Sequence, residues 1–245
     1  MSDMLELDGV EAGYGPMKVL HGVDLTVPCG ELAVLLGTNG AGKTTTLRTI
    51  TGELRPRAGR VRFEGRELTG LPPERVVRLG IGVLPEPPGV FRDMTVLDNL
   101  RVGGVALGAD RATVEQRCEE MLALFPTIAD RPRQLGGDLS GGEQRTLAMA
   151  RALMGKPRLL LVDEASIGLS PRNVTMVFEL LRGLCDSGIT VWMAEQSVAA
   201  LRVADRAYVM EKGRITHRAA HDELDDLHDR MTRAYLGGAG EEVHA

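Results

Sequence analysis

The chain of 245 residues contains three cysteines, Cys29, Cys118 and Cys185, and no two of them form a CxxC pair. A disulfide framework and a cysteine-built zinc site are thereby excluded, and a reducing compartment is expected. His21, His217, His221, His228 and His244 add no zinc-ligand spacing to those cysteines. Aromatic residues make up 3% of the chain and the formal net charge is −5. A nucleic-acid binder would normally carry a basic face or stacking platforms, so that class is set aside. The arginines at 55, 57, 60 and 62 read as a solvated edge. No apolar run reaches the roughly 18 residues that span a bilayer; the runs are short, such as Leu32 to Leu36 and Leu159 to Val162. The start, Met1-Ser2-Asp3-Met4-Leu5-Glu6, lacks the basic and apolar regions of a secretory signal. Internal repeats and coiled-coil heptads are also missing.

What is there is a globular composition, 43% hydrophobic and 26% charged, large enough for a real core divided between two lobes. Alternating apolar residues at Leu5, Leu7 and Val10, then Val19, Val23, Leu25 and Val27, predict antiparallel strands in a small side sheet. Leu32 to Leu36 is continuously apolar, as a strand buried on both faces must be, and runs through glycines into a helical stretch from Lys43 to Ile50. Leu159 to Val162 and Thr190 to Ala194 repeat the buried-strand pattern. With helices between them, these strands predict an α/β core built on a parallel sheet with right-handed crossovers. From Thr95 to Phe125 the apolar spacing is helical without strands, which predicts a helical lobe spanning about residues 95–155. A single domain over 1–238 and a disordered tail over 239–245 are expected.

Gly37-Thr38-Asn39-Gly40-Ala41-Gly42-Lys43-Thr44 is a complete phosphate-binding loop between a buried strand and a helix. Its glycines let backbone N–H groups approach phosphates, and the helix N-terminus adds its positive dipole end. Lys43 suits the β- and γ-phosphates and the Thr44 hydroxyl suits Mg²⁺, with Thr45 closing the nucleotide-binding set. Asp163 and Glu164 end the second buried strand, where acids emerge into the ligand crevice of an open α/β sheet. Asp163 suits a Mg²⁺ contact and Glu164 a general base for the attacking water. Leu139-Ser140-Gly141-Gly142-Glu143 has the form of a capping box, Ser140 with Glu143 three residues on. A cap explains the serine and the glutamate but leaves Gly141 and Gly142 unexplained, unless an anion must come close to the backbone there.

LSGGE, set between a phosphate loop and a strand ending in DE, resembles the signature of the ABC ATPases, and the resemblance covers nearly the whole chain. It implies a P-loop NTPase core with an antiparallel β subdomain and an inserted α-helical subdomain, working in a head-to-tail dimer with ATP and Mg²⁺. Ser140, with Gly141, Gly142 and Glu143, would then complete a nucleotide site on the opposite subunit. Tyr14, in Gly13-Tyr14-Gly15, resembles the aromatic that stacks on adenine. Glu86, after Val83-Leu84-Pro85, stands where most of the family has a glutamine that touches Mg²⁺, and Gln196 where most has a histidine that contacts the γ-phosphate. Ser166 to Pro171 corresponds to the loop that meets the other subunit.

The glutamate at 86, the glutamine at 196 and the C-terminal Ala234-Tyr235-Leu236-Gly237-Gly238 together resemble the ATPase subunit of branched-chain amino-acid importers, the LivF type. That resemblance implies two transmembrane permease subunits, an external solute-binding protein and a place on the cytoplasmic face of the membrane. Pro87-Pro88-Gly89 departs from the Gly-Arg-Arg common there, and Ala165 replaces a proline. The alternatives are a non-transport ABC ATPase, regulatory or a DNA-repair clamp, and an importer for another small polar solute such as urea.

Overall fold

A computed structural model describes residues 3–105 and 108–237, with side chains as far as 233. The tail over 239–245 lies outside those residues, as do the side chains of the Ala234 to Gly238 segment.

In chain order, β1 (Asp3–Tyr14) and β2 (Met17–Pro28) form a hairpin, and β3 (Leu32–Leu36) leads to α1 (Lys43–Ile50). After β4 (Ala58–Phe63) and β5 (Arg66–Glu67) come α2 (Pro73–Arg78) and β6 (Ile81–Leu84). Helices α3 (Val96–Val105), α4 (Arg111–Leu124), α5 (Pro126–Ala129) and α6 (Gly141–Leu153) follow without an intervening strand among the described residues. The chain closes with β7 (Leu159–Asp163), α7 (Pro171–Asp186), β8 (Thr190–Glu195), β9 (Arg206–Glu211), β10 (Arg214–Ala220) and α8 (Leu224–Gly237). Among the described residues no helix is long and apolar enough to cross a membrane.

The side sheet has the order β2-β1-β4-β5 and is antiparallel. The larger sheet runs β10-β9-β3-β8-β7-β6. Its strands β6, β7, β8, β3 and β9 are parallel, but β10 pairs antiparallel with β9 at the edge. The sequence pattern foretold β3, β7 and β8 and missed β6, β9 and the antiparallel edge.

The three apolar runs are explained by what lies on each side of them. Leu32, Val34 and Leu36 face one core, together with Leu160, Val162, Val191 and Met193 and the apolar faces of α6 and α7. Ala33, Leu35, Leu159, Leu161, Trp192 and Ala194 face the other, against α1 and the side sheet. Side chains alternate along a strand, so a strand covered on both faces must be apolar at every position. Each Leu, Ile or Val so buried stabilises the fold by about 1.5–3 kcal/mol. Trp192 is a core residue, as its strand position predicted, and is fully buried. Met149 and Met154 likewise pack inside.

Arg60 is exposed on β4, as a solvated edge requires. Arg57 is not idle there, because its guanidinium donates to the Gly15 and Met17 carbonyls and braces the turn that carries Tyr14.

Candidate functional site

The carboxyl ends of β3, β7 and β8 meet at one edge of the large sheet, and the polar residues gather there. β3 gives way to residues 37–42, whose course is set by three backbone bonds: Gly37 N–H to Glu195 O (3.1 Å), Ala41 N–H to Thr38 O (3.1 Å) and Gly213 N–H to Ala41 O (2.7 Å). Two positions in this loop demand glycine. A Cβ on Gly37 would lie 2.7 Å from the Met210 carbonyl oxygen, and Gly42, which caps α1, has a φ of +115°. Thr38, Asn39 and Gly40 are exposed at the tip, while Ala41 and Thr45 are buried at its base.

Lys43 is 3% exposed and fully engaged. Its ammonium donates to Gly37 O (2.8 Å) and Thr38 O (3.2 Å) and pairs with the Glu164 carboxylate at 3.0 Å. Lys43 and Glu164, expected to act separately, are therefore ion-paired. Phosphate oxygens arriving at the loop would compete for the lysine and release the carboxylate. Glu164 itself has a φ of +50°, a strained backbone for a non-glycine residue, and its N–H is held by Ala194 O at 2.9 Å.

Asp163 is the last residue of β7 and is 4% exposed. Burial raises its pKa above the ordinary aspartate range; the Thr44 hydroxyl hydrogen bond and Lys43 oppose this, and the charges of Glu164 and Glu86 reinforce it. Among the described residues its Oδ1, which is buried, has no hydrogen-bond partner. A desolvated carboxylate with an unused lone pair beside a threonine hydroxyl suits a hard divalent cation. Among the described residues no three His, Cys, Asp or Glu side chains converge to hold a metal alone. Such an ion would need its remaining ligands from phosphate and water, which fits Mg²⁺.

Gln196 follows β8 and is exposed beside this edge, where Ala194 pairs with Asp163. Tyr14 lies at the β1–β2 turn, 38% exposed, its hydroxyl accepting from Arg48 of α1 at 3.2 Å. Glu86 is drawn aside: its carboxylate pairs with Arg145 Nη2 at 2.9 Å.

At the start of α6 the capping box forms as the sequence required. Ser140 N–H donates to the Glu143 carboxylate at 2.8 Å, and Glu143 N–H donates back to Ser140 Oγ at 3.4 Å. The Ser140 N–H, followed by its hydroxyl, holds the Glu143 carboxyl below the usual glutamate range. Among the described residues, added Cβ atoms on Gly141 and Gly142 would meet nothing within 4 Å. Packing against those residues therefore does not call for glycine at either position. Among the described residues the polar contacts of Ser140 and Glu143 stay within this turn and with Arg131, so the structure does not bring the signature to the phosphate loop of its own chain.

Two positioning residues escaped the sequence reading. Glu195, fully buried at the end of β8, accepts from Ser166 N–H (3.0 Å) and Ser166 Oγ (2.6 Å), and burial raises its pKa. Arg145 holds Ala165 O and Ile167 O (2.8 Å) as well as Glu86. Both fix the loop that follows Glu164. The available signal was a charged residue at a buried-face position: Arg145 precedes buried Ala148 and Met149 by three and four, and Glu195 ends an apolar strand.

A family model described as ABC transporter matches residues 20–167, which contain the phosphate loop, the signature and the two acids. The high-affinity branched-chain amino acid transport ATP-binding protein BraG of Pseudomonas aeruginosa is 44% identical over 238 residues, 96% of this chain and 100% of BraG. The lipopolysaccharide export system ATP-binding protein LptB of Acidithiobacillus ferridurans is 36% identical, over 97% of this chain and 98% of LptB. Among solved structures, an ATP-binding cassette of an ABC transporter in its ADP conformation superposes with a TM-score of 0.83 at 27% identity, covering 97% of this chain and all of that one. The chain thus belongs to the ATP-binding family of the ABC transporters and is an ATP hydrolase.

Proposed function

We propose that the chain energises an importer for branched-chain or related amino acids. In this reading it works on the cytoplasmic face of the membrane, with a second ATPase subunit and two permeases, and indirectly with an external solute-binding protein. The observation that carries this reading is the end-to-end match to BraG at 44% identity, against 36% for the lipopolysaccharide export relative.

ATP binds on residues 37–45 with its adenine against Tyr14. Lys43 turns from Glu164 to the phosphates, and the freed Glu164 carboxylate orients and deprotonates the attacking water. Thr44 and Asp163 would hold Mg²⁺, with Glu86 as a further contact. The ion would supply charge neutralisation at the phosphate oxygens. Gln196 donates a hydrogen bond to the γ-phosphate and carries no titratable charge, so that position adds no histidine-type pH dependence. Ser140, Gly141, Gly142 and Glu143 cover the nucleotide of the other subunit, in line with their open glycine faces.

A cleft between β6, α3 and α6, lined by Val83, Phe91, Val102 and Arg151, offers the permease a seat beside the Glu86 loop. Phe91 is 44% exposed there, with the Arg151 guanidinium 4.9 Å from its ring centroid.

The test is affinity purification of the tagged chain from its native membranes with mass spectrometry of what co-purifies. A second ABC ATPase and two multispanning permeases of an amino-acid importer are expected. Recovery of lipid-export components, of soluble proteins alone or of DNA would overturn the transport assignment and leave the ATPase standing.

A further inference from the structure

Arg145 is 6% exposed and stands two residues beyond Glu143 on α6. Its guanidinium reaches two segments of the core. Nη1 donates to the Ala165 and Ile167 carbonyls, the second at 2.8 Å, in the loop after Glu164, and Nη2 donates to Glu86 Oε2 at 2.9 Å in the loop after β6. A guanidinium this deep is costly without a counter-ion, and Glu86 is the carboxylate that answers it. Glu86 is only 30% exposed. β6 pairs with β7 at Leu84 and Val162, so the loop that carries Glu86 leaves the sheet next to Asp163, the last residue of β7. The carboxylate held by a fixed cation, Arg145, thus belongs to a loop that starts beside the residues suited to a divalent one.

We infer that Arg145 is a positioning residue that holds the Glu86 carboxylate back from the Thr44–Asp163 site, so that Arg145 and Mg²⁺ compete for it. The inference rests on the reading of Glu86 as a Mg²⁺ contact. Arg145 keeps its two carbonyl acceptors when Glu86 leaves, so metal loading changes the charge balance at the joint between α6 and the loop after Glu164. An amide at position 86 would take part more weakly, because its oxygen can accept from Arg145 or ligate a cation but brings no charge to either.

The experiment is a Mg²⁺ titration of the full chain binding a fluorescent ATP analogue, read by anisotropy and independent of turnover. Arg145→Gln is expected to lower the Mg²⁺ midpoint by about three- to tenfold, the size of a partly exposed ion pair. Glu86→Gln is expected to raise it. In the Glu86→Gln background the Arg145 substitution is expected to have a clearly smaller effect. Arg145→Lys, which keeps a cation without the fork geometry, should lower the midpoint by less, and it serves as the test if thermal melting shows that the glutamine variant does not fold. An unmoved midpoint in the Arg145 variants, or an equal shift with and without Glu86, overturns the competition while a raised midpoint in Glu86→Gln keeps the metal contact. An unmoved midpoint in Glu86→Gln overturns the metal contact and the inference with it.

Discussion

Among single residues, Asp163 carries a cost that the fold does not recover by itself. Its carboxyl is raised by burial above the ordinary aspartate range, so the folded chain holds that proton more tightly than the unfolded chain does. Stability from this group is therefore complete below the unfolded pKa and is lost as pH rises through the folded one. Above the folded pKa the buried carboxylate is a net burden. Asp163→Asn is expected to raise the melting temperature at pH 7.5 by about 2–4 °C for each kcal/mol relieved. The gap from the wild type should narrow towards pH 4, and Mg–ATP should add stability to the wild type alone. A lower melting point for the asparagine variant at pH 7.5 would sink the account. The neighbouring Glu164 is ion-paired with Lys43. Glu164→Gln is expected to cut steady ATP turnover by at least about a hundredfold, the size of a lost general base, and to leave nucleotide affinity intact. Turnover within a few-fold of wild type would remove Glu164 from the chemistry.

At the scale of elements, legibility in the sequence followed how fully each segment is buried. β3, β7 and β8 are covered on both faces and read as unbroken apolar runs. β10 could not be read that way, because as an edge strand it leaves Arg214, His217 and Arg218 exposed and alternates poorly. β6 is four residues long and includes Gly82, too short for a period to show. The capping box was legible because it is local, requiring only Ser140 and Glu143. The pairings of Lys43 with Glu164 and Glu86 with Arg145 were not, because each joins segments far apart in the chain.

The loop after β6 shows what such distant anchoring does. Fully buried Asn99 of α3 accepts from Phe91 N–H at 2.9 Å and donates to the carbonyls of Phe91, Met94 and Thr95 at 3.0–3.3 Å. Asn99→Ala would leave the Phe91 N–H without its acceptor and take a second donor from the Phe91, Met94 and Thr95 carbonyls, which keep the N–H groups of Met94, Gly136 and residue 99, at a cost of about 1–3 kcal/mol. A denaturant titration is expected to show that loss, and one below about 0.5 kcal/mol would mean the loop finds other partners. Trp192 gives a contrasting case, because its buried indole N–H has no partner among the described residues. Trp192→Phe removes that N–H along with part of the ring and is expected to cost less than about half of the 3–5 kcal/mol typical of Trp→Ala.

On the scale of the whole molecule, the proposed function divides nucleotide binding between two half-sites, and among the described residues the polar contacts of the second do not reach the first. One is the phosphate loop with Asp163 and Glu164; the other is the Ser140 to Glu143 turn, whose glycines face open space. A head-to-tail pair would join each half to its complement. Lys43→Ala disables the first half and Ser140→Arg the second, so each variant alone is expected to be inactive. In a mixed pair both defects fall in one composite site and the other is intact. If the chain pairs with itself, equal mixing makes about half of the pairs mixed, each with one working site of two, so about a quarter of wild-type turnover should return. Recovery that grows on mixing and vanishes on dilution would establish the composite site between copies of this chain. Wild-type turnover of the isolated chain without any recovery on mixing would show that one subunit suffices, and the open face of Gly141 and Gly142 would then need another occupant.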